Sequence, residues 1–292
     1  RLYKIACGPN TDDYGWMDTL LKRAGRHMDG ISLHYYTVPG EWDHKGSATE
    51  FGAAEWFGTL KKALFMDELI AKHSAIMDCH DPKKRIGLIV DEWGTWYDVE
   101  PGTNPGFLYQ QNTMRDALVA GLHLHIFHAH NDRVKMANIA QTINVLQAMI
   151  LTEGEKMVLT PTYHVFDLFK VHQGATRLQT CCSAAEYALD GDKLPQVSVS
   201  ASRNAAGEIH ISLCNLDHQN EADVQIVLRG LAGEQMKAEA MTLAAADMSA
   251  HNTFAKPDAV KPVPFANFFA KNGEISAKLA PMSVTVLRLA AK

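Results

Sequence analysis

Two rhythms of apolar and polar residues divide this chain. Up to about residue 174, short apolar runs alternate with longer stretches of helical period. Tyr3–Gly8, Asp29–Tyr36, Arg85–Trp93 and Leu122–His128 read as strands; Trp16–His27, Gly52–Met77, Phe107–Gly121 and Met136–Leu151 read as helices. Such alternation predicts parallel strands joined by crossover helices. A further helix, Tyr163–His172, follows Pro161 and stops near Gly174, a proline and a glycine where a helix start and end favour them. From Ala175 onward the period drops to two. Gln196–Ser200, Glu208–Leu213, Ala222–Leu228 and Ser283–Leu289 alternate as half-buried strands do, with Asn204–Gly207 as a turn. This part predicts an antiparallel β-sandwich or jelly roll. The Ala-rich stretch Ala238–Ala246 is the nearest thing to low complexity. The expected units are therefore residues 1–174 and 175–292.

Four strands are half of what a closed (β/α)8 barrel needs, and a half-barrel leaves two unpaired edges and an open core. The expected fold class is α/β: the C-terminal half of a (β/α)8 TIM barrel followed by an all-β sandwich. Residue 1 is Arg, and Lys4–Gly8 already reads as a buried strand. An N-terminal half is therefore expected as a removed or separate piece, and a targeting signal would have gone with it.

Composition narrows the class. The 292 residues are 47% hydrophobic and 21% charged, the balance of a well-packed globular protein. A net charge of -5 with no basic stripe argues against a nucleic-acid partner. No apolar run is long enough to span a bilayer. Five cysteines, with Cys181 next to Cys182, suit neither a disulfide framework nor a zinc site; buried reduced thiols are the ordinary reading, and a reducing compartment is favoured.

The candidate chemistry lies at strand ends. Arg85–Val90 is a strand buried on both faces that stops at Asp91 and Glu92, followed by Trp93 and Gly94. In a barrel, the C-terminal strand ends build the active site. Strict alternation puts Glu92 on the face of Leu88 and Val90, at the barrel mouth if those two face the lumen, and turns Asp91 the other way. The alternative is a carboxylate that only caps or ion-pairs the next loop. On Asp29–Tyr36, Ser32, His34 and Tyr36 share a polar face that needs a hydrogen-bonding counterpart, and the barrel mouth supplies one; a satisfied core histidine is the plainer reading of His34. His123, His125, His128 and His130 crowd one run, but their spacing matches no paired zinc motif. Pocket lining and loop anchoring are the default for them. Asn138 and Gln141 would lie one turn apart on a helix, able to bind hydroxyls or simply solvated. Trp42, Trp56, Trp93, Trp96 and Tyr97 cluster after strand ends, where aromatic faces suit the C–H faces of sugars.

In order along the chain, Ile31–Tyr36, Val90–Tyr97, Asp132–Gln141, Pro161–Phe166 and Pro281–Leu287 resemble the family-51 glycoside hydrolases, the α-L-arabinofuranosidases. The resemblance covers nearly the whole chain. It implies barrel strands five to eight, with Glu92 as the nucleophile closing strand seven. Tyr36 would bond near the nucleophile, Trp96 would line the pocket, Gln141 would contact the arabinofuranose, and His34 would hold the strand-six mouth. No cofactor is implied. The partners implied are an arabinofuranosyl oligosaccharide or polysaccharide, the N-terminal half of the enzyme and further copies of the chain; the location implied is the cytoplasm, with secreted relatives known.

The family's acid/base Glu, preceded by Asn, has no counterpart here, and loop residues Glu41 and Glu50 are poor substitutes. Retention needs two carboxyl groups about 5–5.5 Å apart, so the expectation is that this piece alone is inactive. Two other readings stay open: an endo-glucanase or β-xylosidase on the same barrel, and a non-catalytic sugar-binding relative, against which the presence of Glu92 argues.

Overall fold

The computed structural model describes residues 2–230 and 236–291. Its first layer is a four-stranded, wholly parallel sheet in sequence order: β1 (Ile5–Ala6), β2 (Gly30–Thr37), β3 (Gly87–Thr95) and β4 (Val134–Ile139). Between the strands run α1 (Tyr14–Ala24), α2 (Ala53–Ala63), α3 (Phe65–His80) and α4 (Met114–Ala129). They cover one face of the sheet, where Ile31, Leu33, Tyr35, Leu88, Val90 and Trp93 join Met17, Trp56, Leu60, Met66 and Leu118 in one core. Burial of this apolar area is the main force holding the layer.

A hairpin, β5 (Ile150–Glu153) with β6 (Lys156–Leu159), leads into α5 (Pro161–Phe169), with Pro161 in the first turn and Thr160 accepting from Tyr163 N as the N-cap. A 3-10 turn at Lys170–His172 ends the helical part, and Gly174 takes a positive φ. Antiparallel strands follow: β7 (Thr176–Leu178), β8 (Glu186–Leu189), β9 (Asp192–Pro195), β10 (Val197–Arg203), β11 (Ile209–Asn215), β12 (Ala222–Val227), β13 (Met236–Leu243), β14 (Val263–Pro264), β15 (Phe268–Lys271), β16 (Glu274–Leu279) and β17 (Ser283–Ala291). A six-stranded sheet, β14-β13-β17-β11-β10-β7, stacks on a three-stranded one, β12-β16-β15, through Ile209, Ile211, Leu213, Ile275, Leu279, Leu287 and Leu289. This is the expected β-sandwich. Its larger sheet turns its other face to α4 and α5, where Cys214, Val284 and Val286 join the first core.

Several sequence expectations need correction. Leu122–His128 is not a strand but the second half of α4. From Met114 to Phe127 every residue of α4 but Leu124 is buried, because the helix lies between the parallel sheet and the sandwich. A helix buried all round carries no amphipathic stripe to betray its period. The fourth strand is instead β4, which runs from Val134 into the segment read as the helix Met136–Leu151. Its exposed Lys135 and Met136 break any apolar run. Gly52–Met77 is two helices, joined at Leu64, and Phe107–Gly121 becomes helical only at Met114. The Ala-rich stretch forms most of β13, paired along its length with β17. Strand β11 is buried at every position rather than half-buried. Of the five free cysteines only Cys214 is buried; Cys7, Cys79, Cys181 and Cys182 are exposed.

Candidate active site

The site forms on the sheet face opposite the helices, at the C-terminal ends of β2 and β3. Tyr36 Oη donates to Glu92 Oε1 at 2.5 Å. His34 Nδ1 lies 3.1 Å from Glu92 Oε2, and its Nε2 lies 3.1 Å from Asp91 Oδ1. Ser32 Oγ donates to the same Asp91 oxygen at 2.6 Å. Ser32, His34 and Tyr36 thus share a face, as alternation requires. Both oxygens of Glu92 are engaged, while its side chain stays 40% exposed, so the charge keeps part of its hydration. Burial, reinforced by the Glu92 carboxylate, pushes the Tyr36 hydroxyl far above its ordinary range. The phenol therefore stays protonated and donating.

Asp91 does not point away from Glu92. From Ser32 to His34 strand β2 advances two residues, while β3 advances three, from Ile89 to Glu92. The same excess appears against β4, where Val90–Trp93 faces Ala137–Ile139. An extra residue in one strand is a β-bulge, which re-aims the side chains after it. Leu88 and Val90 accordingly sit in the helix-side core rather than in a lumen, and Glu92 reaches the opposite face because the bulge resets the alternation. No glycine or proline in Val90–Trp93 signals this in the sequence.

The end of β3 is fixed from behind. Gly94 has φ +143°, and a Cβ there would meet Gln147 Oε1 at 3.1 Å, so glycine lets the buried Gln147 approach. Gln147 accepts from Thr95 N and donates to Asp116 O and Thr162 Oγ1. Gln110 accepts from Tyr97 N. Sequence reasoning missed both glutamines; Gln147 fell in the misassigned helix.

Of the aromatic candidates, Trp96 and Trp42 belong to the site. The Trp96 ring packs edge-on to Tyr36 at 4.8 Å and to Trp42 at 5.0 Å, with Lys45 Nζ 4.8 Å from the Trp42 centroid. Asp98 holds this loop by accepting from Lys45 N and Gly46 N. Trp56, Trp93 and Tyr97 are core residues, with relative exposures of 0%, 0% and 1%. Gln141 is exposed just past β4, its backbone N–H bonded to Val145 O. Among the described residues no hydrogen bond joins its side chain to Glu92, and the helical spacing expected for Asn138 and Gln141 does not exist.

The four clustered histidines lie on or at the end of α4, so strand alternation does not sort them. His123 Nε2 meets Ala63 O at 3.0 Å, His125 and His128 meet serines of β10 and β11, and His130 meets Asp67. A cavity of about 380 Å³, lined in part by His128, His172, Lys135 and Arg177, opens beside them. None of its lining residues belongs to the Glu92 cluster.

Fold and site place the chain among the α/β proteins that carry carboxylates at parallel strand ends and append an antiparallel sandwich. Within that class the comparison is specific: residues 91–283 match the alpha-L-arabinofuranosidase C-terminal domain, and the chain belongs to that family. It is 47% identical over 290 residues to an intracellular exo-alpha-L-arabinofuranosidase of Bacteroides ovatus, covering 99% of this chain and 56% of that protein. An intracellular exo-alpha-(1->5)-L-arabinofuranosidase of Streptomyces lividans is 26% identical, over 98% of this chain and 44% of its own length. The crystal structure of the GH51 arabinofuranosidase from Xanthomonas axonopodis pv. citri superposes with a TM-score of 0.97 at 48% identity, over 99% of this chain and 58% of that one. The chain thus spans about half the length of the curated relatives it matches.

Proposed function

We propose that the chain is the nucleophile-bearing part of a retaining α-L-arabinofuranosidase. Residues 1–174 form the C-terminal half of a (β/α)8 barrel, strands five to eight, and residues 175–292 its sandwich domain. The open face of the parallel sheet, with Glu92 at the strand ends, is then the lumen side. The observation that carries the reading is the grip on Glu92: Tyr36 on one oxygen, His34 on the other, and the Trp96–Trp42 rings beside them. A carboxylate fixed at both oxygens, yet open to solvent, suits attack on an anomeric carbon. The names of the matched relatives support removal of a terminal, non-reducing α-L-arabinofuranosyl unit and a cytoplasmic location; the substrate proposed is an arabinan or arabinoxylan that carries such a unit.

Glu92 attacks the anomeric carbon as the glycosidic C–O bond breaks and the departing oxygen takes the acid/base group's proton; water, deprotonated by that same group, then cleaves the covalent glycosyl-enzyme and frees Glu92. The acid/base carboxyl belongs to the preceding half of the barrel, which this chain takes as its partner; the assembled enzyme is a homo-oligomer and needs no cofactor. Gln141, exposed past β4, is the residue proposed to contact the bound sugar in the closed barrel. The test is hydrolysis of an aryl α-L-arabinofuranoside by the chain co-expressed with that half. Glu92→Ala should lower turnover more than about 10³-fold, and azide should restore it with inverted product. A Glu92→Ala enzyme with wild-type turnover overturns the reading.

A further inference from the structure

We propose that Asp91 is a positioning residue that acts on Glu92 through the His34 ring. The proposal rests on the reading of Glu92 as nucleophile and adds a part to that machinery. In an unbroken strand with Leu88 and Val90 in the helix-side core, Asp91 and Glu92 would face opposite sides of the sheet, Glu92 toward that core. With the bulge, Asp91 shares the open face with Glu92. There it meets two donors, Ser32 Oγ at 2.6 Å and His34 Nε2 at 3.1 Å, both on the same oxygen.

The consequence lies in the proton count of the ring. Each nitrogen of His34 faces an ionised carboxylate oxygen, and such an oxygen only accepts. A neutral imidazole has one N–H and satisfies one of the two contacts; the other sets a lone pair against a negative oxygen. With Asp91 in place both nitrogens donate, and the Nδ1–H is held on Glu92 Oε2. Without it, the single proton of a neutral ring is free to sit on Nε2 and turn to solvent, and Glu92 loses one of its two anchors. Asp91 is not itself a second catalytic acid. Its Oδ1 already accepts from Ser32 and faces the ring, and the imidazole stands between it and Glu92.

Removing a positioning group misaims the nucleophile and should lower kcat more than it raises KM. The experiment uses the chain co-expressed with the preceding half of its relatives. Asp91→Asn should cut kcat by about 10-fold to 100-fold, the range of a small misplacement, with KM changed less than about threefold. Ser32→Ala, which removes the other anchor of Asp91, should cost only a few-fold. Ring-nitrogen NMR of His34 supplies the signature that a merely structural role would not move. Both nitrogens should resonate as protonated in the wild type, and Nδ1 should lose that position in Asp91→Asn. Wild-type kcat in Asp91→Asn, or an unchanged His34 spectrum, overturns the proposal. If Asp91→Asn does not fold, the wild-type spectrum decides, since a singly protonated ring is incompatible with the bridge. If no arabinofuranoside is cleaved at all, the proposed function falls, while the spectra still rule on the bridge.

Discussion

Two regions of this molecule use histidine in opposite ways. At the ends of β2 and β3, His34 bridges two carboxylates on a half-exposed face. Where α4 and the Lys170–His172 turn meet the sandwich, His125, His128 and His172 take serine hydroxyls as their hydrogen-bond partners. His125 spans Ser198 and Ser212 at 2.8 and 2.9 Å, His128 meets Ser200 at 3.0 Å, and His172 spans Ser202 and Ser212 at 2.7 and 3.1 Å. One proton assignment satisfies the seam around Ser212. It donates to Ser200 O and accepts from both Nε2–H groups, while Ser198 and Ser202 donate to the Nδ1 atoms. That assignment needs neutral rings. The same side chain is an electrostatic part where it meets carboxylates and a neutral mortise where it meets hydroxyls, so residue type alone tells neither role.

Acid should break the comparison most strongly. Burial lowers all three seam histidines: His125 well below its ordinary value, His128 to about 4 with Arg177 adding to the effect, and His172 to about 3 with His128 and His210 adding. A histidine held neutral when folded and free to protonate when unfolded stabilises the fold fully above the unfolded value of 6.5. That stability drains as pH falls toward the folded value. His128 alone accounts for on the order of 3 kcal/mol by pH 4. Thermal melts followed by circular dichroism should show Tm falling steeply between pH 6.5 and 4. His128→Gln, which keeps a partner for Ser200, should flatten that slope by nearly one proton. A slope unchanged by His128→Gln would dissolve the contrast.

The opposite region should respond in rate. Tyr36→Phe removes a donor to an ionised carboxylate, a bond of about 1.5–3 kcal/mol, so kcat should fall roughly 10- to 100-fold. The melting temperature and its acid dependence should stay as they are, because the seam is untouched. A Tyr36→Phe enzyme with unaltered kcat would mean that the phenol only packs against Trp96.

How much of this could be read in the sequence differs between the regions. Strands β2 and β3 were legible because local composition and local burial agree: an apolar run ends in polar residues where the site begins. The polar face of Ser32, His34 and Tyr36 followed from alternation. The bulge that sets Asp91 and Glu92 on one face did not, since no glycine or proline in Val90–Trp93 marks it. The seam was hidden for another reason. Serines 198, 200 and 202 alternate with apolar residues as a solvated strand face would, and only the docking of α4 turns that face inward. Histidines spaced on a helix that is buried all round imitated a strand for the same tertiary reason.

Close packing along α4 offers a smaller test. A Cβ on Gly121 would stand 2.7 Å from Cys214 Sγ, at the point where α4 meets β11. Overpacking of this kind costs about 1–3 kcal/mol. Gly121→Ala should lower Tm, and adding Cys214→Ala should recover part of the loss by clearing the sulfur, a coupling that a double-mutant cycle measures. Additive losses would place the strain elsewhere.

Ser198→Ala should have the least effect, and its smallness is informative. Ser198 is only half-buried, so water can replace its hydroxyl at His125 Nδ1, and Ser212 still holds the other ring nitrogen. The expected cost is at the low end for a lost hydrogen bond, about 0.5 kcal/mol. Ser212 is fully buried and serves two histidines, so Ser212→Ala strands two ring nitrogens that no water reaches and should cost several times more. The stability difference between the two variants, read from urea unfolding at pH 7.5, measures how far the seam depends on being dry. Equal losses would show that solvent reaches both ends of His125, and the neutral rings would then owe nothing to enclosure.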